Sequence, residues 1–208
     1  MDKTAIEHWS PVIGGQFWWT GLIFVLIFVP LMIFLGSKIS SKQRDMVLYG
    51  MGIYQLGNKA LTQIGYIFSD NYIIASNLPL HLCGLSGILA GIVVFYRKQI
   101  LFEFLYFFGL VGFIHSVLTP EFTGGVSSWK IFDYYVGHSM LIIIPVWLMK
   151  YYELRLRHNA WWTSFIYLQL IVVLVSQANS IIGNGANYMY LALSLIHISE
   201  PTRPTPIA

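Results

Sequence analysis

The most regular feature of this sequence is a series of six apolar stretches, each about 20 residues long, separated by short polar connections. That is the length of mostly apolar chain that a helix needs to cross the hydrocarbon core of a bilayer. Each stretch is therefore predicted to form one membrane-spanning helix. The predicted spans are residues 17–36, 46–68, 78–96, 100–118, 133–150 and 160–182.

Composition supports the same fold class. The 208 residues are 56% hydrophobic and 10% charged, whereas a soluble domain is about 25% charged. We therefore predict an all-α protein, a polytopic membrane helix bundle, with one helical domain over residues 1–192. Because the chain has one cysteine, an intramolecular disulfide and a metal site made of cysteines alone are excluded.

Basic residues are concentrated in alternate connections, which predicts the orientation of the bundle. The connections after the first, third and fifth spans hold eight of them, and the opposite connections hold only Lys130. The eight are Lys38, Lys42, Arg44, Arg97, Lys98, Lys150, Arg155 and Arg157. Such loops face the cytoplasm, so we expect a multi-pass protein of the cell membrane with its N-terminus outside. Its expected partners are membrane lipids, and no nucleic acid is expected.

The C-terminal segment departs from this pattern. Leu193–Arg203, "LSLIHISEPTR", resembles the translation of a transposase-end adaptor from a sequencing library. We therefore predict that residues 193–208 are a non-native tail and that the native chain continues into a seventh span, which begins near residues 187–191. The alternative is a genuine short polar tail.

Four polar side chains are predicted to share one depth in the bilayer. With a rise of about 1.5 Å per residue, Cys83, His115, His138 and Gln177 each lie roughly 5 to 7 Å inside the outer end of a span. Gly87 follows Cys83 by one helical turn, and Gly91 follows Gly87, so this face of the third span is predicted to pack against another helix. His81 is expected to face the headgroup boundary.

The second predicted span carries a polar stripe of Gln55, Lys59, Thr62 and Tyr66 on one face. A lysine near the middle of the membrane is costly unless it is paired. Glu103, Asp133 and Glu121 are candidate partners, and Asp133 is the easiest of them to reach. Lys59 is thus predicted either to form a structural ion pair or to hold an anionic lipid headgroup or an oxyanion.

Cysteine, histidine and polar amides at one depth are the groups that covalent acyl chemistry requires. Cys83 would be the nucleophile, and His138 is preferred over His115 as its base. Pro79 is predicted in the first turn of the third helix, which would leave Cys83 close to a helix N-terminus. The predicted substrate-binding residues are His81, His115, Lys59, Gln177, Asn184 and Asn187.

A metal site made of three histidines is a weaker alternative. His81, His115 and His138 could contribute to it, but no carboxylate or second cysteine stands at metal-ligand spacing. The predicted site therefore contains no metal and no other cofactor.

Four segments carry a resemblance to a known family. In order, "LPLHLCGLSG", "GLVGFIHSVLTPEF", "DYYVGHSMLIIIP" and "NGANYMYL" resemble landmark segments of the YwaF-like bacterial integral-membrane proteins. That family is related to the eukaryotic transmembrane-protein-164 acyltransferases. The resemblance implies seven helices and transfer of a fatty acyl chain to lyso-phospholipids, with Cys83 as the acyl acceptor and His138 as its partner.

Two classes of function therefore remain. One is a phospholipid acyltransferase with a Cys–His pair in the outer leaflet. The other is a non-enzymatic membrane protein, such as a carrier, a small-ligand sensor or an assembly factor, which uses the same polar cluster as a binding site. Pro30 and Pro145 interrupt two spans, but the two halves of the chain lack the internal similarity that is typical of carriers.

Overall fold

A computed structural model describes residues 8–68, 72–123 and 126–191. Within them the chain forms seven helices, one 3-10 turn and one pair of two-residue strands, which confirms the predicted all-α bundle. The predicted tail and most of the predicted seventh span lie outside these residues. The helices are α1 (Gln16–Lys38), α2 (Ser41–Phe68), α3 (Ile74–Asn77), α4 (Leu82–Phe95), α5 (Gln99–Leu118), α6 (Ser128–Tyr151) and α7 (Ala160–Ile182). Strands β1 (His8–Trp9) and β2 (Phe122–Thr123) pair antiparallel, and the 3-10 turn covers Tyr188–Tyr190.

Four of the predicted spans are confirmed as helices that are long and apolar enough to cross a membrane, namely α1, α5, α6 and α7. Helix α2 has 28 residues and is about 42 Å long, but its polar stripe lowers its hydropathy. Helix α4 is apolar but has 14 residues, about 21 Å of helix. The membrane-spanning role of α2 and α4 stays a prediction.

Capping explains why two helices begin earlier than hydropathy indicates. Before α2, the backbone N–H of Ser40 donates to Gln43 Oε1 at 2.9 Å, and the backbone N–H of Gln43 donates to Ser40 Oγ at 3.4 Å. This reciprocal pair is a capping box. Before α6, Ser127 Oγ accepts from the backbone N–H of Lys130 at 3.3 Å. Polar first turns therefore extend both helices beyond their apolar stretches.

The predicted start of the third span at residue 78 is wrong, and so is the place of Pro79 in its first turn. Helix α4 begins at Leu82, after an extended segment that ends at His81. The backbone N–H of Leu78 donates to the Tyr188 hydroxyl at 2.9 Å, which fixes this segment against the residues that follow α7. Cys83 is consequently the second residue of α4.

Helix α6 is the centre of the bundle. It packs against α1, α2, α4 and α5, and it contributes ten buried residues. Its buried side chains include Ile143, Ile144, Trp147 and Leu148, which join residues such as Phe102 of α5 in the main apolar core. Helix α7 packs mainly against α5 and exposes most of its apolar side chains. This arrangement fits a bundle with α7 at its periphery, facing lipid.

Glycines bring α2 and α4 into close contact, as predicted for the face that holds Gly87 and Gly91. A Cβ atom at Gly91 would lie 2.4 Å from Leu56 Cγ. A Cβ atom at Gly52 would lie 2.9 Å from the side chain of Val94. Both separations are shorter than van der Waals contact, so the two helices can approach this closely only because these positions lack side chains.

The basic connections gather at one end of the bundle, which we call the basic end. The Arg157 guanidinium donates to both carboxylate oxygens of Glu103 on α5, with the shortest separation 2.7 Å. Asp45 accepts a 2.5 Å hydrogen bond from the Tyr152 hydroxyl and forms an ion pair with Arg97 at 3.6 Å. Burial, together with the hydrogen bond to Asp45, raises the pKa of Tyr152 to about 12. Glu103, a candidate partner of Lys59, is therefore paired with Arg157 at the basic end.

Candidate functional site

A polar cavity of about 650 Å³ lies toward the opposite end of the bundle, among α2, α4, α6 and the α5–α6 connection. Its walls combine a thiol, an imidazole, charged groups and hydroxyl groups. Its charged or chemically active lining residues include Lys59, Thr62, Cys83, Glu121, Lys130, Asp133 and His138. Three of the sequence-predicted site residues, Lys59, Cys83 and His138, therefore line one cavity.

Cys83 faces this cavity from the first turn of α4 and lies against α5. Its thiol donates a weak hydrogen bond to the carbonyl oxygen of Gly112, with Sγ at 3.9 Å. A Cβ atom at Gly112 would lie 3.5 Å from Cys83 Sγ and 3.5 Å from Leu141 Cδ1. Gly112 is therefore the point of α5 that is approached both by the Cys83 thiol of α4 and by Leu141 of α6, which lies about one turn beyond His138.

His138 reaches the cavity from α6 with a fixed ring orientation. Its Nδ1 lies 2.7 Å from the backbone carbonyl oxygen of Tyr134, and the two rings are 4.2 Å apart. Because a carbonyl oxygen only accepts hydrogen bonds, Nδ1 carries the proton of this contact. The Nε2 atom of the neutral ring then keeps its lone pair, as a general base requires. The Tyr134 hydroxyl donates to the Ser116 carbonyl at 3.1 Å, which anchors this supporting residue on α5.

Asp133 joins α6 to α2 at the cavity wall. Its carboxylate accepts a 2.5 Å hydrogen bond from the Tyr54 hydroxyl and two from the Asn58 amide, at 2.7 and 2.8 Å. The fully buried Gln55 adds a further contact, because its Nε2 donates to the Gly137 carbonyl at 2.8 Å. These contacts fix α2 beside His138.

The Asp133 contacts lead to a stability prediction. Asp133→Ala leaves the partly buried donors of Tyr54 and Asn58 without their acceptor, which we expect to cost about 3 kcal/mol of unfolding free energy. Thermal unfolding in detergent measures this loss. Asp133→Asn keeps one acceptor oxygen and is expected to lose less. An alanine variant as stable as the unsubstituted chain would contradict the assigned role.

The predicted ion pair between Lys59 and Asp133 is not formed. Lys59 makes no ion pair within 4.0 Å in the described part of the chain, although Asp133 and Cys83 lie within electrostatic range of it. Its side chain instead occupies the space that Gly87 leaves open. A Cβ atom at Gly87 would lie 2.9 Å from Lys59 Cε and 3.9 Å from Lys59 Nζ.

His81 contacts the C-terminal segment rather than the cavity. Its ring lies 5.2 Å from the ring of Tyr188 and 5.8 Å from that of Tyr190. The backbone N–H of Met189 donates to His81 Nδ1 at 3.4 Å. His81 therefore connects the start of α4 to the segment that follows α7.

The remaining predicted site residues are absent from the cavity lining. His115, Gln177 and Asn184 are exposed on the surface of the described bundle, and Asn187 is partly buried beside the 3-10 turn. The depth of a residue follows from helix rise, but the direction of its side chain depends on the rotation of the helix in the bundle. Their roles as substrate-binding residues stay predictions.

Several supporting residues were not predicted from the sequence. Asn179 is buried near the end of α7, where its amide donates to the Tyr188 carbonyl at 3.0 Å and accepts from the Tyr188 backbone N–H at 2.9 Å. The Tyr188 hydroxyl also donates to the Ile74 carbonyl at 2.5 Å. An asparagine within an apolar helix is the sequence signal for such a contact. Asn179 thus anchors the segment after α7 that contacts His81.

Histidine, cysteine and carboxylate groups do not converge into a metal site in the described residues. No three of them lie close enough together to hold one ion.

Comparison with known proteins identifies the family. Neither the curated proteins nor the solved structures gave a match to this chain. The TMEM164 family matches residues 7–205. The match includes Leu193–Arg203, so it gives no support to the adaptor interpretation, which stays a prediction. Because the matched range covers nearly the whole sequence, this integral membrane protein belongs to the TMEM164 family.

Proposed function

We propose that this protein transfers fatty acyl chains between membrane lipids through a thioester at Cys83. The observation that carries the proposal is that Cys83 and His138 line the same polar cavity, with His138 Nδ1 committed to the Tyr134 carbonyl. His138 Nε2 is then available to exchange a proton with the thiol and with lipid hydroxyl groups. The further resemblance to YwaF-like proteins agrees with membership of the TMEM164 family.

The proposed reaction has two steps, formation of a thioester on Cys83 and transfer of its acyl group to a lyso-lipid. In the first, His138 Nε2 takes the proton of the Cys83 thiol, and the thiolate attacks the ester carbonyl of a donor phospholipid. The carbon–oxygen ester bond breaks, and the imidazolium returns the proton to the departing lyso-lipid alkoxide. In the second step, a lyso-lipid hydroxyl gives its proton to Nε2 and attacks the thioester. The carbon–sulfur bond breaks, and the imidazolium returns the proton to the departing thiolate, which restores the thiol.

The proposed orientation suits a substrate from the outer leaflet. The basic end carries the connections that are predicted to face the cytoplasm, and the cavity lies toward the other end of the bundle. In a multi-pass protein of the cell membrane with its N-terminus outside, the cavity would face the outer headgroup boundary. The ester carbonyls of phospholipids lie near this boundary.

The test is detection of the acyl-enzyme. The purified chain is reconstituted with a phospholipid that carries a labelled acyl chain, and its intact mass is measured. We expect a mass increase of one acyl group that neutral hydroxylamine removes, as it removes a thioester. Absence of an adduct with donor phospholipids of several headgroups would overturn the proposal and favour the non-enzymatic class.

A further inference from the structure

We propose that Lys59 binds the phosphate group of a phospholipid in the cavity. The inference extends the proposed function, because it names the group by which the lipid is held, but it concerns binding and not acyl transfer. It starts from a difference between the contacts of Asp133 and those of Lys59 on the cavity wall. Asp133 is bonded to Tyr54 and Asn58, whereas the Lys59 ammonium has no hydrogen bond or ion pair in the described part of the chain.

An unpaired ammonium inside a membrane bundle is costly. The Lys59 side chain is partly buried, and an isolated charge in such surroundings is tolerated where it meets water or a counter-charge. The cavity that Lys59 lines has space for water or for an anionic ligand. The carboxylate of Asp133 lies within electrostatic range of Lys59, but it is bonded to Tyr54 and Asn58. A ligand with an anionic group would supply the direct contact that Lys59 lacks, so the position of Lys59 favours an anionic ligand.

The packing of Gly87 shows how Lys59 is directed into the cavity. The Lys59 stem lies so close to Gly87 that an added methyl group would come within 2.9 Å of Cε. The absence of a side chain at Gly87 therefore creates a slot in α4, and the ammonium lies at its end. Cys83 stands one turn from Gly87 on the same helix, and both line the cavity. A lipid whose phosphate contacts Lys59 would thus have its ester groups near the thiol.

A phosphate diester fits this site better than a neutral headgroup does. An ammonium with three donors binds phosphate oxygens as a compact point charge. The hydroxyl of Thr62 also lines the cavity and can donate a further hydrogen bond. Free inorganic phosphate offers the same chemistry as the headgroup, so an experiment has to separate these two sources.

Native mass spectrometry in detergent provides the test. The full chain is titrated with phosphatidylglycerol and, in parallel, with a diacylglycerol that has the same acyl chains and no phosphate. We expect Lys59→Gln to weaken phosphatidylglycerol binding about tenfold or more and to leave diacylglycerol binding unchanged. Lys59→Arg keeps the charge and is expected to retain part of the affinity. Lys42→Gln, which removes an exposed charge at the start of the same helix, is the matched control.

A second variant tests the geometry without removing the charge. Gly87→Ala places a methyl group in the slot and displaces the Lys59 side chain. It is expected to weaken phosphatidylglycerol binding in the same direction as Lys59→Gln. This variant keeps the inference testable if Lys59→Gln does not fold, which thermal unfolding would reveal.

Three results would overturn the inference. The first is unchanged phosphatidylglycerol binding by both variants. The second is an equal loss of affinity for phosphatidylglycerol and for diacylglycerol in Lys59→Gln. Lys59 would then contact a group that both lipids share, such as the ester carbonyl. The third is complete displacement of phosphatidylglycerol by inorganic phosphate at a concentration equal to that of the lipid. This result would indicate a site for free phosphate. Since acyl adducts are measured separately, phosphate binding without an adduct would reject the proposed function alone.

Discussion

Cys83→Ser is expected to abolish acyl transfer, with a loss of at least about 10³-fold in rate. Cys83 is the one cysteine of the sequence, and the thiolate is the reactive nucleophile of such a site. Serine preserves the size of the side chain, but its hydroxyl is far less acidic and yields little alkoxide beside a histidine in this setting. The rate is measured as transfer of a labelled acyl chain from a phospholipid to a lyso-phospholipid in detergent or vesicles.

The same variant is expected to lose the covalent adduct and to keep its fold. The thiol makes only a weak 3.9 Å hydrogen bond to the Gly112 carbonyl, so its replacement removes little stabilising interaction. Thermal unfolding close to that of the unsubstituted chain would show that the loss of transfer is chemical. A serine variant that transfers acyl chains at more than a tenth of the original rate would exclude Cys83 as the nucleophile.

The fold was predictable because hydropathy and capping act locally. Helix α7 (Ala160–Ile182) agrees with its predicted span at both ends, since an apolar stretch there stops at a glycine. Helix α2 begins before its apolar stretch because Ser40 and Gln43 form a capping box, a signal that is also present in the sequence. The late start of α4 was not predictable in this way. The segment before α4 is held by a contact from Leu78 to Tyr188, a residue that is distant in the chain.

The sequence predicts a depth for each site residue but not the direction of its side chain. Helix rise predicts that polar side chains of several helices share one depth, which stays a prediction. The direction of each side chain is set by how its helix packs. Cys83 and His138 face one cavity, whereas His115 and Gln177 are exposed. The partner of Asp133 was also unpredictable by charge alone. The Asp133 carboxylate accepts its hydrogen bonds from Tyr54 and Asn58, so it makes no direct ion pair with Lys59.

Gly112 is a residue of the site whose role could not be predicted from the sequence. In the sequence it is one of 18 glycines and carries no chemical signal. In the bundle it is the point where the Cys83 thiol and Leu141 of α6 approach α5 together. A side chain larger than alanine there would cover the thiol, because a Cβ atom already reaches van der Waals contact with Sγ. Such residues become visible only when the helices are assembled.

His138→Asn is expected to slow both steps of acyl transfer by about 10²- to 10⁴-fold, the usual contribution of a general base. The asparagine amide can still donate to the Tyr134 carbonyl, as His138 Nδ1 does at 2.7 Å. It has no counterpart of the Nε2 lone pair, so the variant separates proton transfer from ring anchoring. Single-turnover measurements of adduct formation and adduct decay test the two steps independently.

His138→Ala provides the comparison, because it removes the anchor and the base together. We expect added imidazole to restore part of its activity, since the truncated side chain leaves space in a cavity of about 650 Å³. Cys83→Ser gains nothing from imidazole if the thiol is the nucleophile. An asparagine variant that forms and releases the adduct at the original rate would show that His138 only packs against Tyr134. The proton would then pass to another group of the cavity wall, and Cys83 would remain the acyl carrier without its assigned base.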